Sequence, residues 1–301
     1  MYIIEQEILF SYEDILRYAL KLQDRYKPLL QLKSIGYSHD NRELLMLDIG
    51  YGKYSLICTG GVHGRENINP MVLLEMAENY CKAYYGNNEM DSIDIKSLLR
   101  TYTISMIPLL NPDGYEIASY GCSSIRNQEL RERCLDKQLD YRLWKFNGRG
   151  VDINRNFKSK SFVPNRHMLS PNSENEAKAL VKVFTTKPSI GYLDFHSRGD
   201  SIFYYRKDMS HVYNERQLKY ASYLSKIAGF TLEEPENEMD ENCGGNTVHY
   251  YAEYIRQPSI TIETIPEEEQ FPLSLKYLKI VSDHINTLPL HYLKLHKEEM
   301  K

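Results

Sequence analysis

Apolar positions recur along this chain in two rhythms, and the rhythm changes where Gly, Pro and Asn interrupt it. Ser11-Tyr-Glu-Asp14 has the form of a capping box, and Ile15, Ala19, Leu22 and Tyr26 follow at helical spacing. The pattern predicts a helix within residues 1–29 that ends near Lys27, because Pro28 cannot continue it. Leu30 to Tyr37 and Arg42 to Gly50, separated by Ser38-His-Asp-Asn41, read as a hairpin. Tyr54 to Thr59 reads as a third strand running into Gly60-Gly61. A helix from around Pro70 follows, then a buried strand from Tyr102 to Ile107 that stops at Pro108.

The stretch from about Gly114 to Arg149 is irregular and charged, with one short helix at Gln128 to Lys137. Beyond it the rhythm predicts a helix over Ser173 to Phe184 and strands at Ile190 to Phe195 and Ile202 to Tyr205. Asn214 to Ala228 reads as helix, Pro258 to Glu263 as a β-branched strand, and Phe271 to Leu288 as a closing helix begun by Pro272. Residues 290–301 read as a solvated tail. Strands alternating with helices predict an α/β fold with a mixed, largely parallel twisted sheet and helices on both faces. Ligands of such sheets gather at the carboxyl ends of the strands. No composition break divides the chain, so residues 1–301 are read as one catalytic domain.

Charge and composition narrow the classes. With 37 basic and 41 acidic residues the formal charge is −4, which argues against a nucleic-acid partner held by non-specific phosphate contacts. Apolar types make up 42%, enough for a packed globular body rather than a disordered chain. No apolar run reaches the length of a membrane span, and the acidic start, Met1-Tyr-Ile-Ile-Glu5-Gln-Glu7, lacks the basic opening of an export peptide. Five cysteines, an odd number without CxxC spacing, argue against a disulfide framework and a cysteine zinc knuckle, and a reducing cytoplasm is the simplest home.

Candidate chemistry falls at the strand ends. In Thr59-Gly-Gly-Val-His63-Gly-Arg-Glu66 an imidazole and a carboxylate three residues apart, in a glycine-rich turn, can reach one ion. By itself that spacing also fits a surface His and Glu. His196, closing the strand Gly191-Tyr-Leu-Asp-Phe-His196, is the candidate third ligand, and two His plus one Glu leave a position open for water. In Ser259-Ile-Thr-Ile-Glu263 the alternation buries Ile260 and Ile262 on one face and aims Thr261 and Glu263 at the other. Glu263 is then placed to act as general base, the competing reading being an edge-strand carboxylate. Asn154-Arg155, in the turn Gly150-Val-Asp-Ile-Asn-Arg-Asn156, offers an amide and a guanidinium fork for a carboxylate, or else a salt-bridged loop. Asn111-Pro-Asp-Gly114 is built for a tight reversal and reads as scaffold.

Taken together and in order, GxHxRE at His63 to Glu66, NPDG at Asn111 to Gly114, GVDxNRN at Gly150 to Asn156, HS at His196-Ser197 and the TxE strand at Glu263 resemble the zinc carboxypeptidase family, the carboxypeptidase A-like metallopeptidases. The resemblance runs from Arg42 to about Pro266. It implies a single domain with a mixed eight-stranded sheet and one Zn2+ on His63, Glu66 and His196, with Glu263 as base and then proton donor. Arg65 would line the substrate site, and Asn154 with Arg155 would hold a terminal carboxylate. The family's oxyanion-stabilising arginine follows a tryptophan; Trp144 is followed by Lys145, so the role falls to Lys145 or, as the preferred assignment, to Arg149.

Two departures bear on the substrate. Digestive members carry a mobile tyrosine before a Gly-Gly pair, whereas the run Pro235 to Cys243 before Gly244-Gly245 is acidic and has none; Arg198 also stands where those enzymes have tyrosine. With Trp144 to Phe157 and His196-Ser-Arg-Gly199, the chain is similar to the bacterial branch that cuts the γ-D-glutamyl–diaminopimelate bond of peptidoglycan-derived peptides. The resemblance then implies a small, muropeptide-derived substrate, and the cation and acidic run in this sequence place Arg198, as an expectation, on the carboxylate of the diaminopimelate side chain and Asp240 or Glu241 against its ammonium. An ordinary carboxypeptidase, a deacylase-type amidohydrolase and an inactive peptide-binding module are the competing functions.

Overall fold

The computed structural model describes residues 8–164, 170–238 and 244–300. The capping box forms as the sequence predicts: Ser11 Oγ accepts the Asp14 N–H, and the Asp14 carboxylate accepts the Ser11 N–H at 3.1 Å. Helix α1 (Tyr12–Tyr26) starts there and buries Ile15, Ala19, Leu22 and Tyr26. The hairpin β1 (Leu30–Tyr37) and β2 (Glu43–Gly50) follows, then β3 (Tyr54–Thr59), α2 (Ile68–Gly86), α3 (Ile95–Thr101) and β4 (Tyr102–Ile107). Next come α4 (Pro112–Tyr120), α5 (Gln128–Asp136), α6 (Asn175–Thr186), β5 (Ser189–Ser197), β6 (Ser201–Phe203) and α7 (His211–Ala228). The chain closes with β7 (Thr231–Leu232), α8 (Thr247–Tyr254), β8 (Ser259–Thr264), α9 (Tyr277–Ile285) and α10 (Leu288–Glu299).

The eight strands form one mixed sheet in the order β1-β2-β4-β3-β5-β8-β6-β7. Its centre, β4-β3-β5-β8, is all parallel, while β1-β2, β2-β4 and β8-β6 pair antiparallel. The pleat divides the core. Leu47, Leu56, Cys58, Leu193, Phe195, Ile260 and Ile262 join the cluster formed with α1, α2, α3, α7, α9 and α10; Met46, Ile57 and Tyr192 join the one formed with α6 and α8. Glu263 and His196, of opposite parity to Ile262 and Phe195, therefore stand on the α6/α8 side.

Four expectations need correction. Pro272 does not start a closing helix; helix begins at Tyr277 and breaks before Leu288. The solvated tail expected over 290–301 is not found in its described part, residues 290–300, because α10 runs to Glu299 and buries Leu290, Tyr292 and Leu293. Tyr292 stacks on Tyr220 with ring centres 4.5 Å apart and donates its hydroxyl to the Ile190 carbonyl at 2.8 Å, contacts no local pattern encodes. The Asn111-Pro-Asp-Gly114 turn is the start of α4, with the Asn111 side chain accepting the Gly114 N–H and Pro112 in the first turn. Finally, Cys122 and Cys134 are joined by a disulfide, against the reading that these cysteines stay apart. A 3-10 turn at Cys122–Ser124 and α5 fold back around Ile117, Ile125, Leu130 and Trp144, and that small core brings the two thiols together. Among the described helices none is long and apolar enough to cross a membrane.

Candidate metal centre

Three parallel strands deliver the candidate residues to one place. The turn after β3 carries His63 and Glu66, β5 carries His196 one residue before its end, and β8 sets Glu263 directly opposite His196 in register. The His63 and His196 Nδ1 atoms lie 2.6 and 3.1 Å from the two oxygens of Glu66, and the ligand atoms of the three residues all fall within 4.8 Å of one another. Two imidazole nitrogens facing one carboxylate need positive charge between them, as protons or as a metal ion.

Each imidazole is fixed from behind by an aspartate that the sequence reading passed over. His63 Nε2 lies 3.3 Å from Asp152 Oδ1, and His196 Nε2 lies 3.1 Å from Asp194 Oδ2, near enough to pair although not aligned for a hydrogen bond. Asp194 is fully buried and accepts from the Thr59 and Thr247 hydroxyls. Its signal was available: two residues before His196 on a strand, it must share that residue's face. Such carboxylates turn Nδ1 toward an ion and raise its basicity. Asn69 of α2 braces the strand end by donating to the His196 carbonyl at 2.8 Å, and the Thr264 hydroxyl donates to Asn69 in turn.

The electrostatics separate the two glutamates. Burial alone would raise Glu66, but His63 and His196 override it and hold its carboxyl down to about 2. For Glu263 burial dominates and pushes the carboxyl up to about 7, with His196 opposing. Its Oε2 is enclosed and has no hydrogen-bond partner. The donor set and this unpartnered oxygen both fit a divalent ion with a proton-accepting carboxylate beside it.

The structure brings some of the remaining candidates to this cluster and leaves others away from it. Arg149 is turned elsewhere: its Nη1 pairs with the buried Glu174 at 3.2 Å. Lys145 is nearer, with Nζ 2.7 Å from Asp152 Oδ2 and its carbonyl accepting the Gly64 N–H at 3.2 Å. Asn154 accepts the Thr247 N–H at 3.1 Å through Oδ1, and Arg155 Nη1 donates to the Asn154 carbonyl. Arg65 and Arg198 both stack on Phe271, 4.3 and 5.0 Å from its ring centre, and Arg198 also donates to the Glu267 and Glu269 carbonyls. Burial, reinforced by neighbouring Arg198, lowers the Arg65 pKa. Asp240 and Glu241 lie outside the described residues.

Known proteins share this fold. Bovine thrombin-activatable fibrinolysis inhibitor, solved with a tick carboxypeptidase inhibitor, superposes with a TM-score of 0.77 at 20% identity over 98% of this chain and 99% of its own. Among curated relatives, an uncharacterized protein of Bacillus subtilis is 27% identical over 67% of this chain and 57% of its own length. Human carboxypeptidase Z is 25% identical over 78% and 38%. Gamma-D-glutamyl-L-diamino acid endopeptidase 1 of Lysinibacillus sphaericus is 22% identical over 88% of this chain and 68% of its own. The chain thus spans about 40 to 60% of the length of the first curated relatives it matches. The zinc carboxypeptidase family model matches residues 15–281, so the chain belongs to that family of zinc metallopeptidases.

Proposed function

We propose that this site hydrolyses the γ-D-glutamyl–diaminopimelate bond of peptidoglycan-derived peptides. The observation that carries the reading is the pair of guanidinium groups, Arg65 and Arg198, sharing Phe271 next to a carboxylate-rich metal cluster. Two neighbouring guanidinium groups suit a substrate with more than one carboxylate, and the Lysinibacillus relative is named a gamma-D-glutamyl-L-diamino acid endopeptidase.

His63, Glu66 and His196 would hold the zinc. Bound there, it supplies Lewis acidity toward the scissile carbonyl and toward the attacking water. Glu263 takes a proton from that water and returns it to the leaving amine. Asn154 and Arg155 grip a substrate carboxylate, and Lys145, rather than Arg149, is the cation beside the developing oxyanion, held in place by Asp152. No covalent bond to the chain forms.

Incubating the zinc-loaded protein with L-Ala-γ-D-Glu-diaminopimelate and with a panel of C-terminal peptides, and reading products by mass, tests the reading. Release of diaminopimelate supports it; trimming of the ordinary peptides alone would favour the second reading, a carboxypeptidase for C-terminal residues, which the Asn154-Arg155 pair also fits. Arg198→Ala should slow cleavage of the diaminopimelate peptide by about 10- to 100-fold more than that of its lysine counterpart, the worth of one charge-assisted contact. Equal losses would remove Arg198 from substrate recognition. His196→Ala should cost one bound metal equivalent and all turnover, measured by elemental analysis after dialysis.

A further inference from the structure

A second convergence of ligand-type side chains lies apart from the first set. His39 sits in the β1–β2 turn, Glu174 precedes the first residue of α6, and Glu176 stands in the first turn of that helix. One ligand atom from each lies within 4.8 Å of the others. His39 Nε2 is 3.1 Å from Glu174 Oε2, and Asn147 Nδ2 donates both to that oxygen, at 2.8 Å, and to Glu176 Oε2, at 3.2 Å.

The charges around it are unevenly matched. Glu174 has Arg149 at 3.2 Å, and neighbouring Asp113 has Arg42 at 3.0 Å. Glu176 is fully buried, pairs with no Lys or Arg among the described residues, and its Oε1 has no hydrogen-bond partner. A buried carboxylate oxygen without a donor is costly unless a cation or a proton neutralises it. An imidazole nitrogen and two carboxylates converging on one point form a donor set that zinc-like divalent ions accept.

We propose that His39, Glu174 and Glu176 form a second site for a divalent transition-metal ion, separate from the catalytic cluster. Its role is structural. Asn147, which bonds both glutamates, accepts the Arg149 and Val151 N–H groups through Oδ1, at 3.0 Å each. The same loop continues to Asp152, Asn154 and Arg155, so an ion on the glutamates ties the start of α6 to the segment that orients His63.

The test counts ions rather than turnover. Metal-stripped wild-type protein titrated calorimetrically with Zn2+ should take up two equivalents, and His196→Ala should take up one, with a higher Tm on saturation. Glu176→Gln, close in shape, and His39→Ala, at a partly exposed position, should each reduce the wild-type count from two to one. The proposal is overturned if wild-type protein saturates at one equivalent that His196→Ala removes, if a folded His196→Ala chain binds none, or if the second equivalent survives both substitutions. In the first two cases the Glu176 carboxyl keeps a proton instead, and the catalytic reading stands untouched.

Discussion

Glu263→Gln should keep its metal and lose turnover by roughly two to four decades in kcat, the range that a positioned proton-transfer group contributes. The amide preserves the shape and the register opposite His196 but cannot accept the proton of the attacking water. The same substitution should make the metal-stripped protein more stable. The Glu263 carboxyl sits at about 7 in the folded chain, above its ordinary 4.5, so the folded state favours the protonated form. Its stabilising contribution is complete below pH 4.5 and is lost as pH rises through 7. Glutamine does not titrate, so at pH above 7 the variant should gain up to about 3 kcal/mol in denaturant unfolding after chelation. A variant that turns over normally removes Glu263 as the base; one with no stability gain in alkaline buffer shows that burial does not penalise its charge.

The second large effect is expected at Gly64, between the candidate ligands. A Cβ there would collide with the Gly114 backbone, and one on Gly114 would collide with the Phe146 carbonyl. Three backbone segments, the His63 turn, the start of α4 and the irregular segment before Asn147, thus touch without side chains between them. Gly64→Ala must part the first two, at a cost of about 1 to 3 kcal/mol or more, the scale of overpacked cores. Because His63 and Glu66 flank the contact, metal affinity should fall with stability, whereas a core truncation elsewhere would lower stability alone. Chelator competition and thermal unfolding on one sample separate the two outcomes.

These contacts also mark where sequence reasoning stops. The alternation of Ile260 and Ile262 with Thr261 and Glu263 was legible because a pleated strand has only two faces, and His63, Glu66 and His196 because they fall at strand ends. Asn111-Pro-Asp-Gly114 reads as a turn because its residues suit one equally well; the Phe146 carbonyl and the Asn111 side chain, both too close for a Cβ on Gly114, explain a glycine inside a helix. The Cys122–Cys134 pair, 12 residues apart, has no local signal and follows from packing around Trp144. The contacts that distinguish Lys145 from Arg149 involve Glu174, far along the chain, which pairs with the arginine, while Asp152 pairs with the lysine. Likewise the burial of α10 rests on Tyr220 and Ile190, which no window around Leu288 contains.

Strand β8 enters the sheet between β5 and β6, both made earlier on the ribosome. A chain stalled after β6 already owns every candidate ligand, His63, Glu66 and His196, yet has no Glu263. The candidate ligands and the candidate base therefore come from different stages of the chain, and only the insertion of this last central strand brings the carboxylate opposite His196.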